Sequence, residues 1–271
     1  FHKIFSPFRQ ISLKTFLNNS MKFSEYLSES AIVISDDMKK YTETVIKKIL
    51  EIIKKHVTYA YFQKENHRKN ILHKNVDSKY GNYGISTFIN TYYTENSSNA
   101  YATDFEIFLT IRKEDYEKLK ENSPKELENL RVTILHELVH IVDPKFRMKG
   151  GEQKTKTAIS KNNKILDLYR QQLSQTESPE KRKEIRTEIS KFIKAYYKFP
   201  WEIDAYISSQ AEVEAEAILK KSKNIHIALT YVKNYVPKGQ AETFYHEEPE
   251  IWKRFILHLT KLIHKGFENE I

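Results

Sequence analysis

His136-Glu137-Leu138-Val139-His140 places two imidazoles and a carboxylate within five residues. On a helix, residues i and i+4 share one face about 6 Å apart, so both imidazoles can meet at a single point. Glu137 stands next to them around the axis, within reach of a water held at that point. The neighbouring Leu135, Leu138, Val139 and Ile141 are apolar, which sets this helix in a core. Two imidazoles and a carboxylate inside a core are unfavourable unless something compensates them, and a metal ion does so. The chain contains no cysteine. Disulfides, thiol nucleophiles, thiolate zinc fingers and iron–sulfur clusters are therefore excluded, and a metal must be held by His, Asp or Glu.

A catalytic zinc ion takes three protein ligands and keeps one position open. Asp143 lies at i+3 from His140 and i+7 from His136, on the same face. Its distance along the helix suits it to bond an imidazole rather than the ion. A third His in an HExxHxxGxxH arrangement is missing, because Asp143 replaces the glycine and Phe146 stands where that His would be. His226 and His246 come later, without supporting context. Glu202 is the strongest candidate. Pro200 marks the start of a helix, Glu202 falls in its first turn where the helix dipole favours a carboxylate, and Ala205 one turn later allows close approach. Glu212, Glu214 and Glu216 form a second acidic cluster that lacks the Pro-Trp entry and ranks below it.

These residues need elements to hold them. Ser35-Asp36-Asp37 opens a helix to about His56, with Tyr41, Val45, Ile46, Ile49, Leu50 and Ile53 at steps of three and four. Residues 63–84 read as polar, with turn signals at Lys79-Tyr80-Gly81-Asn82 and Gly84. Strands are expected over 85–94 and 104–112, the second placing Phe105, Ile107, Leu109 and Ile111 on one face and Glu106, Phe108 and Thr110 on the other. After a loop, Ser123-Pro124-Lys125-Glu126 predicts an N-cap, a Pro at the first helical position and a capping box. That helix runs to about Val142 and stops at Asp143-Pro144. Further helices are expected at about 162–174, 179–197, 200–221 and 225–235. The last starts at Pro249, with Gly266 after its end. The fold class is α+β and mostly helical, with a small sheet packed on the HExxH helix, an inserted helical hairpin and C-terminal helices.

The pairing of His136-Glu137-x-x-His140 with a downstream Glu202-x-x-Ala205 resembles the gluzincin metallopeptidases. The fuller pattern, His-Glu-x-x-His-x-x-Asp-Pro followed by Tyr-x-x-Pro-x-Glu-x-x-Ala, is similar to uncharacterised metallopeptidase-like proteins of large tailed phages and covers Leu130 to Tyr206. The resemblance implies a zincin-like core. It also implies Zn2+ bound by His136, His140 and Glu202, and Glu137 as general base in hydrolysing peptide or protein substrates. It makes the 104–112 strand the sheet edge beside the cleft. Many gluzincins carry Asp four residues after the ligand Glu to orient the first His. Tyr206 stands there in this chain, so Asp143, Asp204 and Tyr206 are the candidates for supporting the ligands. Tyr196, Tyr197, Tyr206 and His226 all remain open as the group that stabilises the transition state.

The net charge is +9, from 45 basic against 36 acidic residues. Residues 147–198 hold 14 Lys or Arg and 6 Asp or Glu, and so carry most of the imbalance. This expected basic hairpin supports a second reading from another class. In it, a phage or mobile-element binding protein contacts nucleic acid or a protein shell, with a structural or vestigial zinc site. Only 9 of the 45 basic residues are Arg, which weakens bidentate phosphate recognition. Residues 1–30 read as a flexible extension ahead of one domain over 31–271. Within it, Met21 to Glu29, ending Leu27-Ser28-Glu29, resembles short capsid-targeting peptides of phage head proteins. No apolar run reaches the roughly 20 residues that span a bilayer, and no signal-peptide core is visible. No membrane partner is expected, and the placement is cytoplasmic, in a host cell or a phage particle.

Overall fold

The computed structural model describes residues 32–90, 100–143, 168–169, 171–196, 200–237, 245 and 248–268. The expected extension over 1–30, the end of the strand expected over 85–94 and the start of the helix expected at about 162–174 lie outside them.

Helix α1 (Asp36–Lys55) forms where its pattern predicts. Ser35 Oγ accepts from the Met38 amide at 3.2 Å, and acids in the first turn and lysines in the last suit the helix dipole. Met38, Tyr41, Val45, Ile49 and Ile53 are buried along one stripe. The short helix α2 (Tyr59–Glu65) follows.

Four strands form one mixed sheet in the order β1-β2-β4-β3: β1 (Lys69–Ser78), β2 (Gly81–Ile89), β3 (Ala100–Thr103) and β4 (Glu106–Leu109). The β1–β2 and β3–β4 pairs are antiparallel, and β2 and β4 run parallel. Val76, Ile85, Thr87, Ile89, Ile107 and Leu109 are buried. Tyr41 of α1 reaches this face, its Oη 2.7 Å from Thr87 Oγ1.

The sheet corrects three expectations. The stretch 63–84, read as polar turns, contains β1. Only Ile71 and Val76 of β1 are buried, and a register shift between Asn70 and Leu72 breaks the period of two. The strand expected over 104–112 shortens to 106–109. Asp104, at φ 48°, turns the chain between β3 and β4, which leaves Phe105 exposed rather than in the core. β4 is an interior strand, and among the described residues the edge on its side of the sheet is β3.

Helix α3 (Lys113–Lys120) stands where a loop was expected. Helix α4 (Pro124–Val142) carries the HExxH residues. Its Ser123 N-cap makes no side-chain cap bond. The Ser123 carbonyl instead accepts from the Glu126 and Leu127 amides at 3.1 and 3.0 Å, and Glu126 lies 3.9 Å from Lys118. The expected capping box is not formed. Then come α5 (Pro179–Tyr196), α6 (Pro200–Lys221), α7 (Ile225–Lys233) and α8 (Pro249–Glu268). Gly266 lies inside α8, not after it. A Cβ there would stand 2.5 Å from Leu219 Cδ1, so glycine serves the close approach of α8 to α6.

The described residues form two apolar cores. The first joins α1, the sheet, α3 and α4, and takes Ala205 and Val213 from α6. The second joins α6, α7 and α8 through Ile203, Ile207, Ala211, Ala215, Ile218, Phe255, Leu259 and Ile263. No helix among the described residues is long and apolar enough to cross a membrane.

Candidate metal centre

From Ile134 to Val142 every residue of α4 is buried, which sets His136, Glu137 and His140 inside the protein. Helix α6 packs on α4 with the fully buried Ala205 between them, and its first turn brings Glu202 to the imidazoles. Glu202 is 2% exposed. Its Oε2 lies 3.2 Å from His136 Nε2 and its Oε1 3.5 Å from His140 Nε2. The two Nε2 atoms are 3.0 Å apart, with the rings nearly perpendicular at 89°.

Two imidazole lone pairs that face each other this closely require a proton or a cation between them. Four ligands about 2.0–2.1 Å from a tetrahedral zinc are separated by about 3.3 Å along each edge. The three observed separations bracket that edge. The donor set is two nitrogens and a carboxylate, all within 4.8 Å of one another, and it fits a metal ion. Among the described residues His136 Nδ1 is buried without a hydrogen-bond partner, and its other nitrogen, Nε2, is the one that faces Glu202 and His140.

The electrostatics point the same way. Burial alone would raise the Glu202 carboxyl, but the charge of His140 and hydrogen bonds with both imidazoles hold it far below the usual carboxylate range. Burial alone would lower His140, but Glu202 first, then Glu137 and Asp143, hold it above the usual imidazole range. The pocket thus concentrates negative charge and calls for a positive partner. A divalent cation bound there would displace the imidazole proton in that role.

Glu137 is 7% exposed. Burial pushes its carboxyl up, and the imidazoles and a hydrogen bond from the Ala102 amide oppose the shift. This contact with β3 escaped the sequence reading. Ala-Tyr-Ala-Thr is four residues long and carries no strand signature, so nothing in it announces an edge beside Glu137.

The supporting candidates separate clearly. Tyr206 packs on the His136 ring, with centroids 4.5 Å apart and planes inclined by 56°. Asp143 is buried at the end of α4, where its charge contributes to raising both His140 and Tyr80. Asp204 pairs with Arg254 of α8. Glu212 pairs with Lys39, and Glu216 with Arg131 at 2.6 Å, tying α6 to α1 and α4. Glu214 accepts from Gln210 at 3.1 Å. His226 is exposed on α7. His246, Tyr197 and the Tyr196 side chain lie outside the described residues. In the basic segment, Arg182 donates to the Leu173 and Thr176 carbonyls at 3.2 and 3.1 Å and so closes the turn ahead of α5. Comparison with family models, curated proteins and solved structures finds no match to this chain.

Proposed function

We propose that the protein is a zinc-dependent peptidase built on a zincin-like core, with His136, His140 and Glu202 as ligands and Glu137 as general base. The observation that carries this reading is the convergence of three donors from α4 and α6 at 3.0 to 3.5 Å, with a buried carboxylate beside them. Imidazole nitrogen and carboxylate oxygen in a three-ligand set suit zinc with one open position.

Bound zinc would supply Lewis acidity toward a carbonyl and lower the pKa of a water toward about 7. The work of the chain's own residues follows from their placement. Glu137 takes a proton from the attacking water as the water oxygen bonds to the scissile carbonyl carbon. It returns that proton to the amide nitrogen as the carbon–nitrogen bond breaks. The buried setting that raises its carboxyl suits both halves of the exchange. The Ala102 amide holds Glu137 in place. Tyr206 fixes the His136 ring by packing rather than by a carboxylate. The outer side of β3, a sheet edge among the described residues, offers a substrate backbone a strand to pair with beside the Ala102 amide that Glu137 engages.

The test uses metal analysis and cleavage of a peptide library in parallel. Wild type binds zinc and cleaves, and His136→Ala and Glu202→Ala lose the metal. Glu137→Gln keeps the metal and loses roughly 10²- to 10⁴-fold in rate. Cleavage by Glu137→Gln at the wild-type rate rejects the assignment.

A further inference from the structure

A row of rings crosses the face of the sheet opposite its buried aliphatic side. Phe88 on β2, Phe108 on β4 and Tyr101 on β3 are direct register partners. Both neighbouring pairs are inclined by only 14°, with centroids 5.1 Å apart for Phe88–Phe108 and 4.8 Å for Tyr101–Phe108. Adjacent strands lie about 4.7–4.9 Å apart, so each ring stands over its own strand and adds one step to a stack. Arg68 covers Phe108, its guanidinium carbon 5.6 Å from the ring centroid, and Phe108 is 4% exposed. Tyr101 ends the row on the edge strand and is 41% exposed.

Glu137 reveals which way this edge faces. The Ala102 amide donates to its carboxylate and therefore points off the sheet, away from β4. In an antiparallel pair the backbone direction repeats every two residues. The Ala100 N–H and C=O and the Ala102 C=O share the outward side. A peptide strand paired with these groups places the side chain beside Tyr101 on the same face as the ring row. The adjacent residue of that peptide lies beside Ala102 and Glu137.

We propose that Tyr101 is a specificity-determining residue that selects peptides with an aromatic side chain next to the bond presented to Glu137. The incoming ring takes the fourth place in the stack, about 4.8 Å beyond Tyr101. The proposal rests on the peptidase reading for its placement of the substrate. Aromatic pairs of this geometry favour a ring over an aliphatic side chain of similar area by roughly 2- to 12-fold.

The experiment measures binding of labelled hexapeptides that differ only at one central position, Phe, Tyr, Leu or Val. The receptor is zinc-loaded Glu137→Gln protein, alone and combined with Tyr101→Phe or Tyr101→Thr. Thermal melting of each variant verifies folding, and Thr preserves strand preference at this position. The expected result is a several-fold preference for Phe and Tyr peptides that Tyr101→Phe keeps and Tyr101→Thr abolishes. Equal binding of all four peptides, or a ring preference that survives Tyr101→Thr, overturns the proposal. Wild-type cleavage of the same peptides is read alongside. A Tyr101-dependent ring preference without any cleavage supports the docking and counts against the peptidase reading alone.

Discussion

Replacing Glu202 by Gln keeps the shape of the side chain and removes its charge. The carboxylate lies 3.2 and 3.5 Å from the two imidazole nitrogens and is 2% exposed, so no water-borne ligand stands ready in its place. Loss of groups that merely support a metal ligand weakens binding 10- to 100-fold, so loss of a direct donor reaches at least about 100-fold. At a free zinc concentration of 1,000 times the wild-type Kd, binding stabilises the wild type by about 4.1 kcal/mol. At the same concentration the variant sits near 10 times its own Kd and gains about 1.4 kcal/mol. The gap of about 2.7 kcal/mol corresponds to about 5–11 °C in Tm for a domain of this size. Scanning calorimetry of both proteins, with zinc and with chelator, reads it directly. With chelator the two should melt much closer together. An equal zinc-dependent rise in both would mean that the ion binds elsewhere, and the centre described here would be wrong.

Two stability changes test the packing that holds α6. Arg254→Ala removes the guanidinium paired with the buried Asp204 carboxylate. Breaking such a pair costs about 3–5 kcal/mol, and the quarter-exposed arginine places it near the low end, about 6–12 °C in Tm. An unchanged Tm would show that the Arg254 pair contributes nothing to holding α6. Gly266→Ala sets a methyl 2.5 Å from Leu219 Cδ1, an overpacking cost of about 1–3 kcal/mol against a helix-propensity gain of about 0.8–1.0 kcal/mol. Gly266→Ala should therefore destabilise, yet stabilise when Leu219→Ala is already present. The same loss in both backgrounds would rule out the clash.

Helices with strong punctuation could be read from the chain. Ser35-Asp36-Asp37, Ser123-Pro124 and Pro200 each open a helix where the structure has one. Because Pro200 opens α6, Glu202 could be placed in its first turn, where the structure brings it to the two imidazoles. The sheet was read poorly for equally physical reasons. β1 shows only Ile71 and Val76 to the core across a register shift, and β3 is too short for a period. The neighbour that takes the edge from β4 is β3, joined to it by a two-residue turn, and β3 carries no strand signal of its own. Asp204 shows another limit. Its nearness to Glu202 in the chain suggested service to the metal ligands, but its partner is Arg254, fifty positions away on another helix.

Helix α6 belongs to both apolar cores, and only its first turn supplies a donor to the centre. A cation held there would act as a rivet between the sheet-bearing half and the three C-terminal helices. Ordinary thermal displacement of about 0.5 Å is a quarter of a ligand bond of about 2 Å. Any sliding along the seam between the halves would then be resisted by coordination as well as by oil-like contact. Stripping the ion should loosen that seam first, and amide exchange at the start of α6 should quicken well before the strands let go.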